Sequence, residues 1–409
     1  MRKVPKLRFK EFTDEWEEKN ILELCSMKAR IGWQNLRKEE HLDKGEFYLI
    51  TGTDFYLDKI KWDTAKFVEE ERYLQDINII LKEGDILITK DGSIGKLAFV
   101  ENIGNKKATL NNGIFRIRIE KENHYSKYFY YTFFSKRFKN FLQQLTAGST
   151  IVHLYQKDFE KYKIAYSSFK EQQKIANFLS SIDKKISLTE EKLELFREYK
   201  KGVMQKIFSQ ELRFKDSDGN DYPEWEDKRL GEIGEIIGGG TPPSGVIEYW
   251  NGNIQWFTPS EIGKNKYVNK SLRTITEIGL KNSSAKLLPK GTILLSSRAT
   301  IGEKSIALEK VTTNQGFQSI FVNEKNYNEF IYYLLDYIKP ELIKKATGST
   351  FLEIGAKSLK EISTKLPTLE EQQKIANFLS SIDSKIENIE KELERLKEFK
   401  KGLLQQMFV

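Results

Sequence analysis

EQQKIANFLSSID, residues 171–183, returns without a single change at residues 371–383, 200 positions further along the chain. The register continues without a gap through KKISLTEEKLELFREYKKGVMQKIF (184–208) and SKIENIEKELERLKEFKKGLLQQMF (384–408), where identity falls and the pattern stays. In the first copy Ile175, Leu179, Ile182, Ile186, Thr189, Leu193, Phe196, Lys200, Val203 and Ile207 step alternately by four and three, the period of an a/d coiled-coil seam. Ile375, Leu379, Ile382, Ile386, Ile389, Leu393, Leu396, Lys400, Leu403 and Met407 repeat it. Each copy therefore predicts one helix ~58 Å long at 1.5 Å per residue, well beyond the usual three or four turns. An apolar stripe of that length needs a partner, and the economical one is the other copy, packed antiparallel. Lys200 and Lys400 interrupt the seam at the same step, either to fix register or with their stems snorkelling past a frayed end.

Working outward, LRFK (7–10) with DEWEEKNILEL (14–24) is echoed by LRFK (212–215) with PEWEDKRLGEI (223–233). The chain thus divides into a module (1–165), a spacer helix (166–210), a second module (211–365) and a second spacer helix (366–409), each module close to ordinary domain size. Within the modules the echoes thin to islands: GDILITKDGSIGK (84–96) answers GTILLSSRATIGE (291–303), NNG (111–113) answers NQG (314–316), and TAGST (146–150) answers ATGST (346–350). Short β-branched and aromatic runs such as 47–53, 85–90, 113–119, 292–297 and 319–322, bounded by Gly, Asp or Asn, read as strands. Looser helical patterns at 125–145 and 327–346 precede the GST motifs, so strands come first and a helix closes each module. The fold class is α+β.

At 409 residues, 39% hydrophobic and 12% aromatic, the chain can bury two sizeable cores and is globular. A single cysteine, Cys25, excludes an internal disulfide framework and suits a reducing compartment. With no long apolar run and no signal-like leader, neither a membrane nor secretion is indicated, and the expected location is the cytoplasm. The net charge of +8 carries no block of like charge; it allows nucleic-acid binding if basic side chains converge on one face.

Several loops carry groups suited to phosphates and base edges. Lys90, Ser93 and Lys96, and in the second module Ser296, Ser297, Arg298 and Thr300, follow a strand into a glycine-containing turn, which brings backbone N–H groups and a cation to an exposed edge. Asn111, Asn112, Asn314 and Gln315 are amides able to pair with adenine or to cap a turn. Thr241 and Ser244 belong to the distinctive loop GGGTPPSGVIEYWNGNIQWFTPSEIG (238–263), whose Trp250 and Trp256 read as core anchors or stacking platforms. Ser149 and Ser349 of the GST motifs complete the candidate DNA-binding set.

Catalysis by the chain itself is poorly supported. His41, His124 and His153 lack metal-ligand spacing with Cys25 or one another, no GxxxxGK[ST] phosphate loop is present, and TPPS (241–244) is not the Asn/Asp-Pro-Pro-aromatic motif of amino-methyltransferases. No catalytic, cofactor-binding or metal-binding residue is assigned. The rivals are a fused enzyme, which would bind S-adenosylmethionine itself, and a coiled-coil adaptor, which would ignore DNA sequence.

The ordered set of LRFK…EW openings, GGGTPPS…YWNGNIQW, and EQQKIANFLSSID helices after TAGST and ATGST resembles, across essentially the whole chain, the specificity subunits of type I DNA restriction and modification systems. A related alternative is the specificity subunit of a type II system with fused nuclease and methyltransferase. The resemblance implies two target-recognition domains, each reading one half of a split double-stranded DNA site, on an antiparallel coiled coil with pseudo-two-fold symmetry. It implies a non-catalytic scaffold for two methyltransferase subunits, with motor-nuclease subunits joining for restriction. S-adenosylmethionine, ATP and magnesium would then sit on those partners. The first module departs from the family pattern, with SMKARIGWQN (26–35) where a GGTP-type turn is often found. Identity of the thirteen-residue repeat on every face suggests one partner bound twice, through Gln172, Gln173 and Asn177 and through Gln372, Gln373 and Asn377; recent duplication or exchange of the stretch explains it equally well.

Overall fold

The computed structural model describes residues 4–31, 36–56, 59–146, 154–348 and 352–409. Both long helices form, Phe169–Phe208 with 40 residues and Leu369–Gln406 with 38. The chain makes two compact units, 1–190 with 391–409 and 191–390. Each unit therefore holds one module, the first half of the helix that follows it, and the second half of the other long helix.

Within each unit the two helix halves run antiparallel. In the first unit Asp183 pairs with Lys400 at 2.7 Å, Lys185 with Glu392 at 3.5 Å and Glu190 with Lys397 at 2.6 Å, partners whose numbers rise on one helix as they fall on the other. In the second, Arg197 pairs with Glu390 and Lys200 with Asp383, both at 2.6 Å. The seam is apolar as the spacing requires. Ile175, Leu179, Ile182, Ile186 and Leu193 are buried, as are Ile375, Leu379 and Ile382, while Ile386 and Leu393 are half-buried. Lys200 and Lys400 each meet an aspartate across the seam and lie over an aromatic ring, Tyr333 and Phe134 respectively. This is the register-fixing reading; the snorkelling one fails because both ammonium groups have fixed partners.

Each module is a set of short strands. The first has a six-stranded sheet in the order Cys25–Lys28, Ile114–Ile119, Ile86–Thr89, Leu97–Phe99, Lys59–Ile60, Phe55–Tyr56, and a three-stranded one in the order Lys66–Val68, Phe47–Ile50, Lys107–Leu110. The second has a five-stranded sheet, Gly234–Gly238, Gln318–Val322, Ile293–Leu295, Lys304–Ala307, Tyr267–Val268, and a three-stranded one, Arg273–Ile275, Trp250–Phe257, Val311–Thr313. The central strands are buried on both faces, which is why they read as continuous apolar runs.

The expectation that a helix closes each module is corrected. A four-residue strand follows the helices and pairs antiparallel with the module's opening strand, Glu17–Asn20 with Lys163–Tyr166 and Glu226–Arg229 with Ser363–Leu366. Strands this short carry little periodicity; the pairing brings both ends of the module together where the long helix leaves. The helical patterns are also each broken in two, Ser126–Thr132 with Lys136–Thr146 and Asn328–Tyr337 with Lys339–Lys344. Ser135 accepts from the amide of Phe138 and so starts a new helix, and Pro340 occupies the first turn of its helix, where its missing N–H costs nothing.

The module openings dock on the repeated helix stretch. Arg8 of the first LRFK grips the buried Glu171 carboxylate with Nε at 2.7 Å and Nη2 at 2.8 Å. Arg213 of the second holds Glu371 at 3.3 and 2.9 Å. Phe9 stacks edge-on against Phe178, and Phe214 against Phe378. Of the EW tryptophans, Trp225 joins its ion pair by donating to Glu371 at 3.2 Å. Trp16 packs edge-on against Tyr128.

Candidate functional site

In each module four separate stretches of sequence are tied together by backbone hydrogen bonds. In the first module the amide of Lys90 bonds to the carbonyl of Gly113 at 2.8 Å, the amide of Leu154 to the carbonyl of Lys90 at 3.0 Å, and the amide of Asn111 to the carbonyl of Ile50 at 2.9 Å. In the second module Ser297 bonds to Gly316 at 2.8 Å, Ile354 to Ser297 at 3.0 Å, and Asn314 to Phe257 at 3.0 Å. These are the same bonds at equivalent positions of the faint islands. GDILITKDGSIGK and GTILLSSRATIGE therefore share a backbone frame, and their common letters are the frame's letters. Gly95 at φ +81° and Gly302 at φ +90° supply the same left-handed turn step in both.

What the two frames present differs. On the first tip Ser93 and Lys96 are exposed, while Lys90 is half-buried with its ammonium over the Phe115 ring. On the second, Arg298 and Thr300 are exposed, with Arg298 Nε 2.8 Å from Oε2 of Glu353. Ser296 and Ser297 are buried, and Ser296 Oγ donates to the carbonyl of Arg298 at 3.0 Å. The assignment of both serines to a DNA-facing surface is corrected, because both side chains are buried, and that of Ser296 bonds to the turn that carries Arg298.

Asn111 and Asn314 are half-buried and use their amide oxygens to accept from the backbone amides of Asn112 and Gly316, at 2.8 and 2.9 Å. They cap turns and set the loop. Asn112 is half-buried beside them, whereas Gln315 is exposed and accepts from the Thr241 hydroxyl. Thr241 and Ser244 are both exposed. A side chain at Gly239 would collide with the carbonyl of Asn314, so glycine there lets the GGGTPPS loop lie directly against NQG. Trp250 and Trp256 are buried edge to face, 5.1 Å apart, with indole N–H groups donating to Pro243 at 3.2 Å and Gly240 at 2.9 Å. They are anchors beneath the loop, and neither ring is available as a platform. Ser149, Ser349 and His153, together with residues 32–35 of the first module's opening, lie outside the described residues.

One pair of loops beside these frames was missed from sequence. In ITGTD the Asp54 carboxylate accepts from both the amide and the hydroxyl of Thr51, at 2.7 and 2.8 Å. In FTPSE the Glu261 carboxylate does the same with Thr258 at 2.8 and 2.7 Å. Each follows the strand whose last carbonyl holds Asn111 or Asn314, and leaves Thr53 or Ser260 exposed. The legible signal was Thr-x-x-acid directly after an apolar strand, a capping-box pattern.

The helix candidates separate into two groups. Gln172 and Gln372 are buried, accepting from the amides of Tyr125 and Tyr327 at 2.9 and 2.8 Å and donating to the carbonyls of Ser167 and Pro367. Their place among docking residues is corrected, since each is spent tying its own module to the helix. Asn177, Asn377 and Gln373 are exposed and Gln173 is half-exposed. Further down the helix, Tyr131 donates to Asp183 at 2.6 Å and Tyr333 to Asp383 at 2.5 Å. Burial and the neighbouring carboxylate push both phenols well above their ordinary range, so they act as neutral donors. Much of the identity between the repeats is thus explained by contacts each makes to its own module.

Reactive groups are otherwise quiet. Burial pushes the Cys25 thiol up to about 12, which removes it as a nucleophile. His124 is half-buried, stacked on Phe129, and held below its ordinary value by burial. Among the described residues no group of three His, Cys, Asp or Glu gathers as metal ligands, and no helix is long and apolar enough to cross a membrane.

The family model described as "Type I restriction modification DNA specificity domain" matches residues 13–195 and 222–398. Over 207 residues the chain is 41% identical to the type I restriction enzyme MjaIX specificity subunit of Methanocaldococcus jannaschii, an alignment covering 49% of this chain and 48% of that protein, about half of each. Over 418 residues it is 28% identical to the MjaVIII specificity subunit of the same organism, covering 95% of both. The crystal structure of the type I restriction-modification S subunit from M. genitalium superposes with a TM-score of 0.59 at 19% identity over 99% of both chains, which shows a shared fold.

Proposed function

This chain belongs to the type I restriction-modification DNA specificity family, and from that premise we propose that it reads a bipartite double-stranded DNA target, one half-site per module, and scaffolds two methyltransferase subunits. The observation that carries the reading is the pair of equivalent loop frames with different tips. A shared frame sets how a tip is offered, and the residues on it set which base edges it accepts, so two unlike tips suit two unlike half-sites. The exposed Asn177, Asn377 and Gln373, with the half-exposed Gln173, are the part of the repeat left for a partner present twice. In this reading the chain is non-catalytic; S-adenosylmethionine, ATP and magnesium belong to methyltransferase and motor-nuclease subunits, and the assembly works in the cytoplasm.

The long helices act as the ruler between half-sites. Half-sites about one helical turn apart, ~34–36 Å, fit within a helix of 40 residues, ~60 Å long. Inserting one heptad at the same level of both helices should lengthen the unread gap in the methylated sequence while leaving both half-sites unchanged. An unchanged gap in a folded, methylating complex would sink the ruler.

A further inference from the structure

The two tips share a frame and diverge most sharply at one step. Asp91 and Arg298 each follow the residue whose amide bonds to Gly113 or Gly316, at 2.8 Å in both modules. The next residue is left-handed in both, Gly92 at φ +67° and Ala299 at φ +53°. A non-glycine residue keeps that conformation only where its surroundings impose it, a pattern that clusters at functional loops. The step before it therefore projects from a fixed turn, and it carries opposite charge in the two modules.

Arg298 is half-exposed at 46%, and its backbone bridges that of Glu353, whose carboxylate lies 2.8 Å from Nε. A guanidinium is planar with five donors, and a single carboxylate takes one edge of it. A second edge is left for another pair of acceptors. Guanine offers such a pair, O6 and N7, in the major groove, and bidentate arginine is the commonest base-specific contact to it. Resting on the DNA-reading function proposed above, we infer that Arg298 reads a guanine in the half-site of the second module, with Glu353 as its positioning residue. Asp91 at the equivalent step cannot supply that donor pair, so the first module reads a different base there.

The test is selection of bound sequences from a duplex library randomised across both half-sites, using the full chain in complex with its methyltransferase subunits. R298A and R298K should both lose a guanine preference at one position of one half-site by roughly 5- to 150-fold, with every other position and the melting temperature unchanged. E353Q should weaken the preference at that same position by a smaller factor. If R298K keeps the preference while R298A weakens all sequences alike with a shallower salt dependence, Arg298 contacts phosphate and the inference is overturned. If R298A changes no position while exchanging residues 211–365 changes that half-site, Arg298 is not the reader, although the modular function stands. If that exchange also changes nothing, the recognition function fails and takes this inference with it.

Discussion

Replacing Trp16 and Trp225 by phenylalanine removes the same atoms from equivalent sites and should have unequal effects. Both indoles are buried. Trp225 donates its N–H to the Glu371 carboxylate at 3.2 Å, whereas the N–H of Trp16 finds no acceptor among the described residues. A hydrogen bond to a charged group contributes roughly 1.5–3 kcal/mol, and a buried unpaired donor costs roughly 1–3 kcal/mol. The loss of indole volume is common to both variants and cancels. W225F should therefore destabilise its unit by at least about 1.5–3 kcal/mol more than W16F does its own, a ratio of roughly 10- to 150-fold in local opening. Native-state hydrogen exchange reads this well, because the reporting stretches 171–183 and 371–383 are identical in sequence and share their intrinsic exchange rates. Peptides that include the flanking 169–170 or 369–370 tell them apart. Equal rises in exchange, from W16F in 171–183 and from W225F in 371–383, would refute a hydrogen bond worth that much at Trp225.

Other substitutions test the helix contacts. Arg8→Ala leaves the Glu171 carboxylate, 1% exposed, without its two short donors, and should cost about 3–5 kcal/mol in urea unfolding of the unit holding residues 1–190; a loss below about 1 kcal/mol would show the pair to be incidental. Lys400→Met removes the partly buried pair with Asp183 and should raise exchange in 391–409 and 171–183 by about 1 kcal/mol, with 371–383 unaffected; equal effects on both repeats would contradict the unit assignment. Burial acts to raise Glu329, but Lys266 at 2.8 Å and the Tyr267 hydroxyl outweigh it and hold the carboxyl below its ordinary 4.5. A depressed carboxyl stabilises the fold above the unfolded-state value and loses that contribution as pH falls through the folded-state value. The urea midpoint of the wild type should thus exceed that of E329Q at pH 7 and converge with it on acidification below pH 4.5; a constant difference would discount the ion pair.

How much of the site was legible depends on chain distance. The turns at 90–96 and 297–303 were readable because strand, glycine and cation are adjacent in sequence. The inward turn of Gln172 and Gln372 was not, because each accepts from an amide far away in the chain, that of Tyr125 or Tyr327, and the burial of Ser296 and Ser297 comes from the packing of the module around them. Thr51 and Thr258 were overlooked because a capping pattern of four residues is common and only its place beside Asn111 and Asn314 gives it weight. Arg298 was one candidate among many until its frame could be laid on that of Asp91.

By itself the sequence determined the two-fold plan: two modules, two long helices, their seam, and the family to which the chain belongs. The plan follows from periodicity and repetition, which are local or counted along the chain, and the family from the resemblance of the ordered motifs. Tertiary structure alone decided that each compact unit takes half of each helix, that a short strand rather than a helix closes each module, and which repeated side chains are spent inside their own unit. The reason is that burial and hydrogen-bond partners at separations above a hundred residues, as for Arg8 with Glu171 and Trp225 with Glu371, leave no periodic trace in the chain that makes them.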